Sequence, residues 1–85
     1  MLTIYSKNRC PFCEQAKALL KNKGIDFEEI KIDENSDAME FVVGEGHKTV
    51  PQIYYNGEIF VEGGFQGLSK LSTEEIQQRL LTGTK

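Results

Sequence analysis

The chain has 85 residues, 39% of them apolar, with 10 Lys and Arg against 13 Asp and Glu for a formal charge of −3. That length supports one hydrophobic core and predicts a single domain over residues 1–85. The acidic balance and the lack of a Lys/Arg block argue against nucleic acid as a partner, and no apolar run nears the roughly 18 residues of a membrane span.

Leu2–Tyr5 alternates apolar and polar residues as a half-buried strand does, and Ser6–Arg9 breaks the pattern as a loop. From Pro11 to Lys23, Phe12, Ala16, Leu19, Leu20 and Lys23 recur at helical intervals, and Gly24 supplies a left-handed stop. Ile25–Ile32 reads as a second strand, parallel to the first across that helix in a βαβ unit. Asp37 and Glu40 have capping-box spacing, which predicts a short helix from near Asn35 to before Gly44–Gly46. Val50–Tyr55 and Glu58–Val61 flank Asn56-Gly57, a strong signal for an antiparallel hairpin. Gly63-Gly64 ends that strand, Phe65–Leu71 has helical character, and Ser72 with Glu75 marks the capping box of a last helix carrying Ile76 and Leu80. The predicted order is β-α-β-α-β-β-α, an α/β domain with a four-stranded mixed sheet flanked by helices.

Cys10 and Cys13 are the two cysteines of the chain and lie where the first strand hands over to the first helix. The opening MLTIYSKN has no secretory h-region, so the expected location is the cytoplasm, where thiols stay reduced. A crosslink across two residues closes too small a loop to stabilise much, and an intrachain zinc site needs more ligands than two cysteines and His47 offer. A metal or cluster shared by two chains stays open. With Cys10 as N-cap and Pro11 at N1, the unpaired N–H groups of the first turn, the helix dipole and the charges of Lys7 and Arg9 all favour thiolate. Such thiols fall from about 8.5 to roughly 3.5–7.5, and Cys13, one turn further on, is expected to be more buried and to act as the resolving thiol.

Cys10-Pro11-Phe12-Cys13 after Tyr5-Ser6-Lys7, then Thr49-Val50-Pro51-Gln52-Ile53 and Gly63-Gly64 at this spacing, resembles a glutaredoxin from the first strand to about Leu71. The resemblance implies a thioredoxin-like fold, glutathione as reductant, no metal, and a cis bond before Pro51 beside Cys10. It implies thiol-disulfide exchange on protein disulfides and glutathione mixed disulfides, with Cys10 as nucleophile and Cys13 resolving, by a monomer. Ribonucleotide reductase is a partner the family offers, though nothing in this sequence singles it out. By position, Lys7, Phe12, His47, Thr49, Val50, Pro51, Gly64, Phe65 and Gln66 are the expected glutathione contacts. Lys7 and His47 would meet the glycine carboxylate. An imidazole there, cationic only when protonated, would make affinity fall as pH rises. Phe12 stands where relatives often have tyrosine. Gln66 replaces a common acidic residue and forgoes a charge-assisted bond to the ligand ammonium. That loss keeps a second reading in view, a redoxin recycled by thioredoxin reductase; a dimeric iron-sulfur cluster carrier is the third.

Overall fold

The alternation of MLTIYS becomes strand β1 (Leu2–Ser6) in the computed structural model, which describes residues 1–82. Its Leu2, Ile4 and Ser6 are buried on one face. Helix α1 (Pro11–Asn22) follows, then β2 (Phe27–Lys31), α2 (Ser36–Gly44), β3 (Gln52–Tyr55), β4 (Glu58–Val61), α3 (Gly64–Ser69) and α4 (Thr73–Thr82). The order in space is β2-β1-β3-β4, with β1 parallel to β2 and antiparallel to β3, and β3 antiparallel to β4. The mixed sheet is the expected one. An eighth element, the short helix α3, stands between β4 and the last helix.

Two cores flank the sheet. Leu2, Ile4, Ile53 and Phe60 pack against Ala16 and Leu20 of α1, Leu68 of α3 and Ile76 of α4. Each large side chain fully buried there contributes about 1.5–3 kcal/mol. On the opposite face, Ala38 and Val42 of α2 meet Ile32, with Tyr5, Ile30, Phe41 and Val50 around them.

The boundaries have local causes. The Ile25 N–H bonds Leu20 O and the Gly24 N–H bonds Lys21 O, a Schellman ending that delays β2 to Phe27. Pro51 has no N–H for the ladder, so β3 begins at Gln52 and not at Val50. The Asn56-Gly57 turn carries the two positive φ angles, 52° and 83°, that the hairpin needs. The capping box expected at Asp37 and Glu40 is not the one used. Asn35 caps α2 through its side chain, which accepts from the Ala38 N–H at 3.0 Å, and this leaves Asp37 in the first turn, where the dipole favours it. Helix α2 ends in a second Schellman motif, with His47 N–H to Val42 O and Gly46 N–H to Val43 O. Gly46 takes φ 87°, a conformation side chains resist, and so turns His47 back toward the sheet.

Candidate active site

Cys10 is the N-cap of α1, in extended conformation, with Pro11 at N1. Its Sγ accepts the Cys13 N–H at 3.2 Å, one of the donors a helix start leaves unpaired. The two cysteines are joined as a disulfide. Cys10 retains 7% exposure and Cys13 none, the order expected of an outer and an inner thiol. Arg9, just before them, sits at φ 58°, a left-handed conformation that costs a non-glycine residue on the order of 1 kcal/mol and turns the chain into the helix. Asn8 pins the same loop: its N–H and amide reach Asp33 Oδ2 at 3.1 Å, and its amide oxygen accepts from Lys31. Although desolvation pushes the Asp33 carboxyl up, these Asn8 donors hold it below the usual range.

Lys17 lies one turn beyond Cys13 but brings no free charge to the sulfurs. Its ammonium is paired with Glu14 at 2.8 Å and Glu29 at 2.9 Å, and hydrogen bonds to Glu14 and then Glu29 raise its pKa. Burial pushes Glu29 up, but the buried Ser6 hydroxyl at 2.7 Å and the Lys17 ammonium together hold it below its ordinary value.

A cleft of about 560 Å³ lies beside the disulfide, lined by Phe12, His47, Thr49, Val50, Pro51, Gly64, Phe65 and Gln66, together with Gln52, Ile59, Glu62 and Gly63. The Val50–Pro51 bond is cis, and the Val50 carbonyl oxygen stands 3.9 Å from Cys10 Sγ. Gln52, buried, donates to Thr49 O at 2.8 Å and so braces the segment facing the sulfur. Opposite, Gly64 at φ 56° lets α3 approach: a Cβ there would stand 2.6 Å from Pro51 O. Phe12, 52% exposed, stacks on Phe65 with ring centroids 6.1 Å apart and forms one lip. Gly64, Phe65 and Gln66 make up the first turn of α3, whose N–H groups have no intrahelical acceptor.

Eight of the nine expected contact residues therefore border one cleft. The ninth, Lys7, lines an adjoining cavity that shares His47, Thr49 and Val50 with it. Position alone missed Glu62 and Gln52. Glu62 is the one carboxylate among the lining residues. Its signal was adjacency to Gly63-Gly64; that of Gln52 was a polar residue directly after Pro51 in an otherwise apolar strand. Among the described residues, no three His, Cys, Asp or Glu gather as a metal site.

A family model described as Glutaredoxin matches residues 2–61, which include both cysteines and the cis-proline segment. The chain belongs to the glutaredoxin family. It is 45% identical over 56 residues to Glutaredoxin 3 of Escherichia coli strain K12, covering 65% of this chain and 68% of that one. Among solved structures it is similar to the glutaredoxin of Brucella melitensis, with a TM-score of 0.77 and 34% identity over 99% of this chain and 91% of the other. It also resembles NrdH-redoxin of Escherichia coli, described as a glutaredoxin-like protein with a thioredoxin-like activity profile, at TM-score 0.69 and 27% identity over 91% of each chain. This glutaredoxin thus has the thioredoxin-like fold, and its cysteine pair makes it a thiol-disulfide oxidoreductase.

Proposed function

We propose that the protein is a cytoplasmic, glutathione-dependent oxidoreductase that reduces glutathione mixed disulfides and protein disulfides. The observation that carries this reading is the Cys10 sulfur, set as N-cap of α1 against Val50 at the edge of the cleft. In the reduced protein, the Cys10 thiolate attacks the glutathione sulfur of a mixed disulfide. A new S–S bond joins Cys10 to glutathione, and the substrate leaves as a thiolate that takes up a proton. A second glutathione thiolate attacks that bond, releasing oxidised glutathione and restoring the Cys10 thiolate. On a protein disulfide, Cys13 resolves the intermediate instead, and the product is the Cys10–Cys13 disulfide present in this structure; two glutathione molecules then reduce it.

The lining residues suit a peptide with an anionic and a cationic end. His47 and Lys7 serve the glycine carboxylate, the cis-proline segment meets the cysteinyl backbone, and the turn Gly64-Phe65-Gln66 takes the γ-glutamyl carboxylate. Glu62 supplies the negative charge for the ammonium that Gln66 lacks. The deciding assay is glutathione-dependent reduction of a small mixed disulfide, run beside thioredoxin reductase. Saturable turnover with glutathione supports the reading; reduction by thioredoxin reductase alone overturns it. The neutral Gln66 and the likeness to NrdH-redoxin favour that second outcome as the competing reading.

A further inference from the structure

Tyr54 lies on β3 with its ring buried between Tyr5 and Phe41, at centroid distances of 5.6 and 5.2 Å. Its hydroxyl oxygen stands 2.6 Å from His47 Nε2 and 3.4 Å from Glu45 Oε1. A phenol has one proton to give and a carboxylate has none, so the contact with Glu45 requires that Tyr54 donate to it. A phenol that gives its proton to Glu45 accepts in the shorter bond, from a hydrogen on Nε2 of His47. Were the phenol proton on the His47 side, a lone pair of Tyr54 would face the Glu45 carboxylate.

We propose that Tyr54, backed by Glu45, is a positioning residue that accepts the His47 Nε2–H and leaves Nδ1 as the ring nitrogen that takes up a proton and donates to an anionic end of the ligand. The ligand assignment rests on the glutathione reading; the assignment of the ring form does not. His47 lines both the cleft and the adjoining cavity, where Lys7 and Lys48 supply fixed positive charge. A ring tied at Nε2 has one free nitrogen to offer there. When Nδ1 takes a proton it becomes a donor to a carboxylate, while the opposite N–H keeps its phenol and the carboxylate behind it. Burial, and after it the Glu45 charge, push the Tyr54 hydroxyl above its usual pKa, so it stays a neutral phenol. The sequence shows Glu45, His47 and Tyr54 separately; the Schellman turn at Gly46 and the register of β3 bring them together.

His47 is the only histidine in the chain, so its ring nitrogens can be followed without assignment in the full-length, histidine-labelled protein by ¹⁵N NMR. The expected spectrum of the neutral ring shows a protonated Nε2 and an unprotonated Nδ1 in the wild type. Tyr54→Phe, which keeps the aromatic ring, is expected to lose that preference. Kinetically, Tyr54→Phe should raise the apparent KM for glutathione about threefold to tenfold at pH 6 with kcat unchanged. His47→Ala should do at least as much, and the double variant no more than His47→Ala alone. A wild-type ring protonated at Nδ1, an unchanged ring form in Tyr54→Phe, or additive effects in the double variant would overturn the assignment. Absence of glutathione turnover in the wild type would instead overturn the ligand reading, and the NMR result would still judge Tyr54.

Discussion

Helices α1 and α4 begin in the same way with different atoms. At α4, Ser72 Oγ accepts the Glu75 N–H at 3.1 Å and the Glu75 carboxylate returns a bond to the Ser72 N–H at 3.0 Å. At α1, Cys10 Sγ accepts the Cys13 N–H at 3.2 Å, and the residue three places on answers with a sulfur of its own. S-x-x-E and C-x-x-C are thus one spacing used twice. With oxygen and carboxylate the spacing caps a helix and stabilises it. With two sulfurs it places one sulfur among unpaired donors and a second within bonding reach, and the two are joined as a disulfide. The site keeps the hydrogen bond of an ordinary helix cap and exchanges the capping atoms for ones that can form and break a covalent bond.

Exchanging the atom back is the largest test. Cys10→Ser turns the α1 cap into the α4 kind, and turnover on mixed disulfides and protein disulfides should fall at least about a thousandfold. Urea unfolding under reducing conditions should show it no less stable than the reduced wild type, with a gain of about 0.5–1 kcal/mol from the better cap. Cys13→Ser should keep turnover of small glutathione mixed disulfides and lose that of protein disulfides; equal loss of both would remove the distinction between the two sulfurs. Gly64→Ala leaves both caps intact but sets a methyl group against Pro51 O at positive φ, and should cost about 2 kcal/mol by urea unfolding along with glutathione affinity. Ser72→Ala should lower stability by about 1 kcal/mol and leave turnover unchanged, which separates the oxygen cap from the chemistry.

The smallest effect is a pH dependence confined to α4. The Ser72 N–H, and then its hydroxyl, hold the Glu75 carboxyl below its ordinary value of 4.5. The folded chain therefore binds that proton less readily than the unfolded chain does, and the stabilisation is present above 4.5 and lost as pH falls through the folded value. Glu75→Gln should be less stable than wild type at neutral pH, and the gap should narrow in acid. A gap independent of pH would show that the carboxylate charge is not what the cap uses.

Features made by near neighbours in the chain were legible from residue types. Cys10-Pro11 as cap and first turn, Gly24 as a stop, Asn56-Gly57 as a hairpin turn and Ser72 with Glu75 as a capping box each depend on backbone geometry within a few residues, and the side chain present states what that geometry must be. One local misreading, Asp37 for Asn35, came from two competent caps two residues apart; the earlier one adds helix and leaves Asp37 in the favourable first turn. The motifs of the resemblance placed eight expected contact residues around one cleft because three segments distant in sequence are read together.

The sequence by itself therefore determined the elements, the caps of the first and last helices and the identity of the cysteine pair, since these follow from torsional preference and hydrogen bonding over short spans. Only the tertiary structure decided that Glu62 borders the cleft, that Gln52 braces Thr49, that Lys7 stands in the neighbouring cavity and that the Tyr54 hydroxyl meets His47. Those contacts depend on strand register and on how closely α3 approaches the cis-proline segment. An alternating or helical pattern tells which side of an element is buried, not which distant side chain it will meet there.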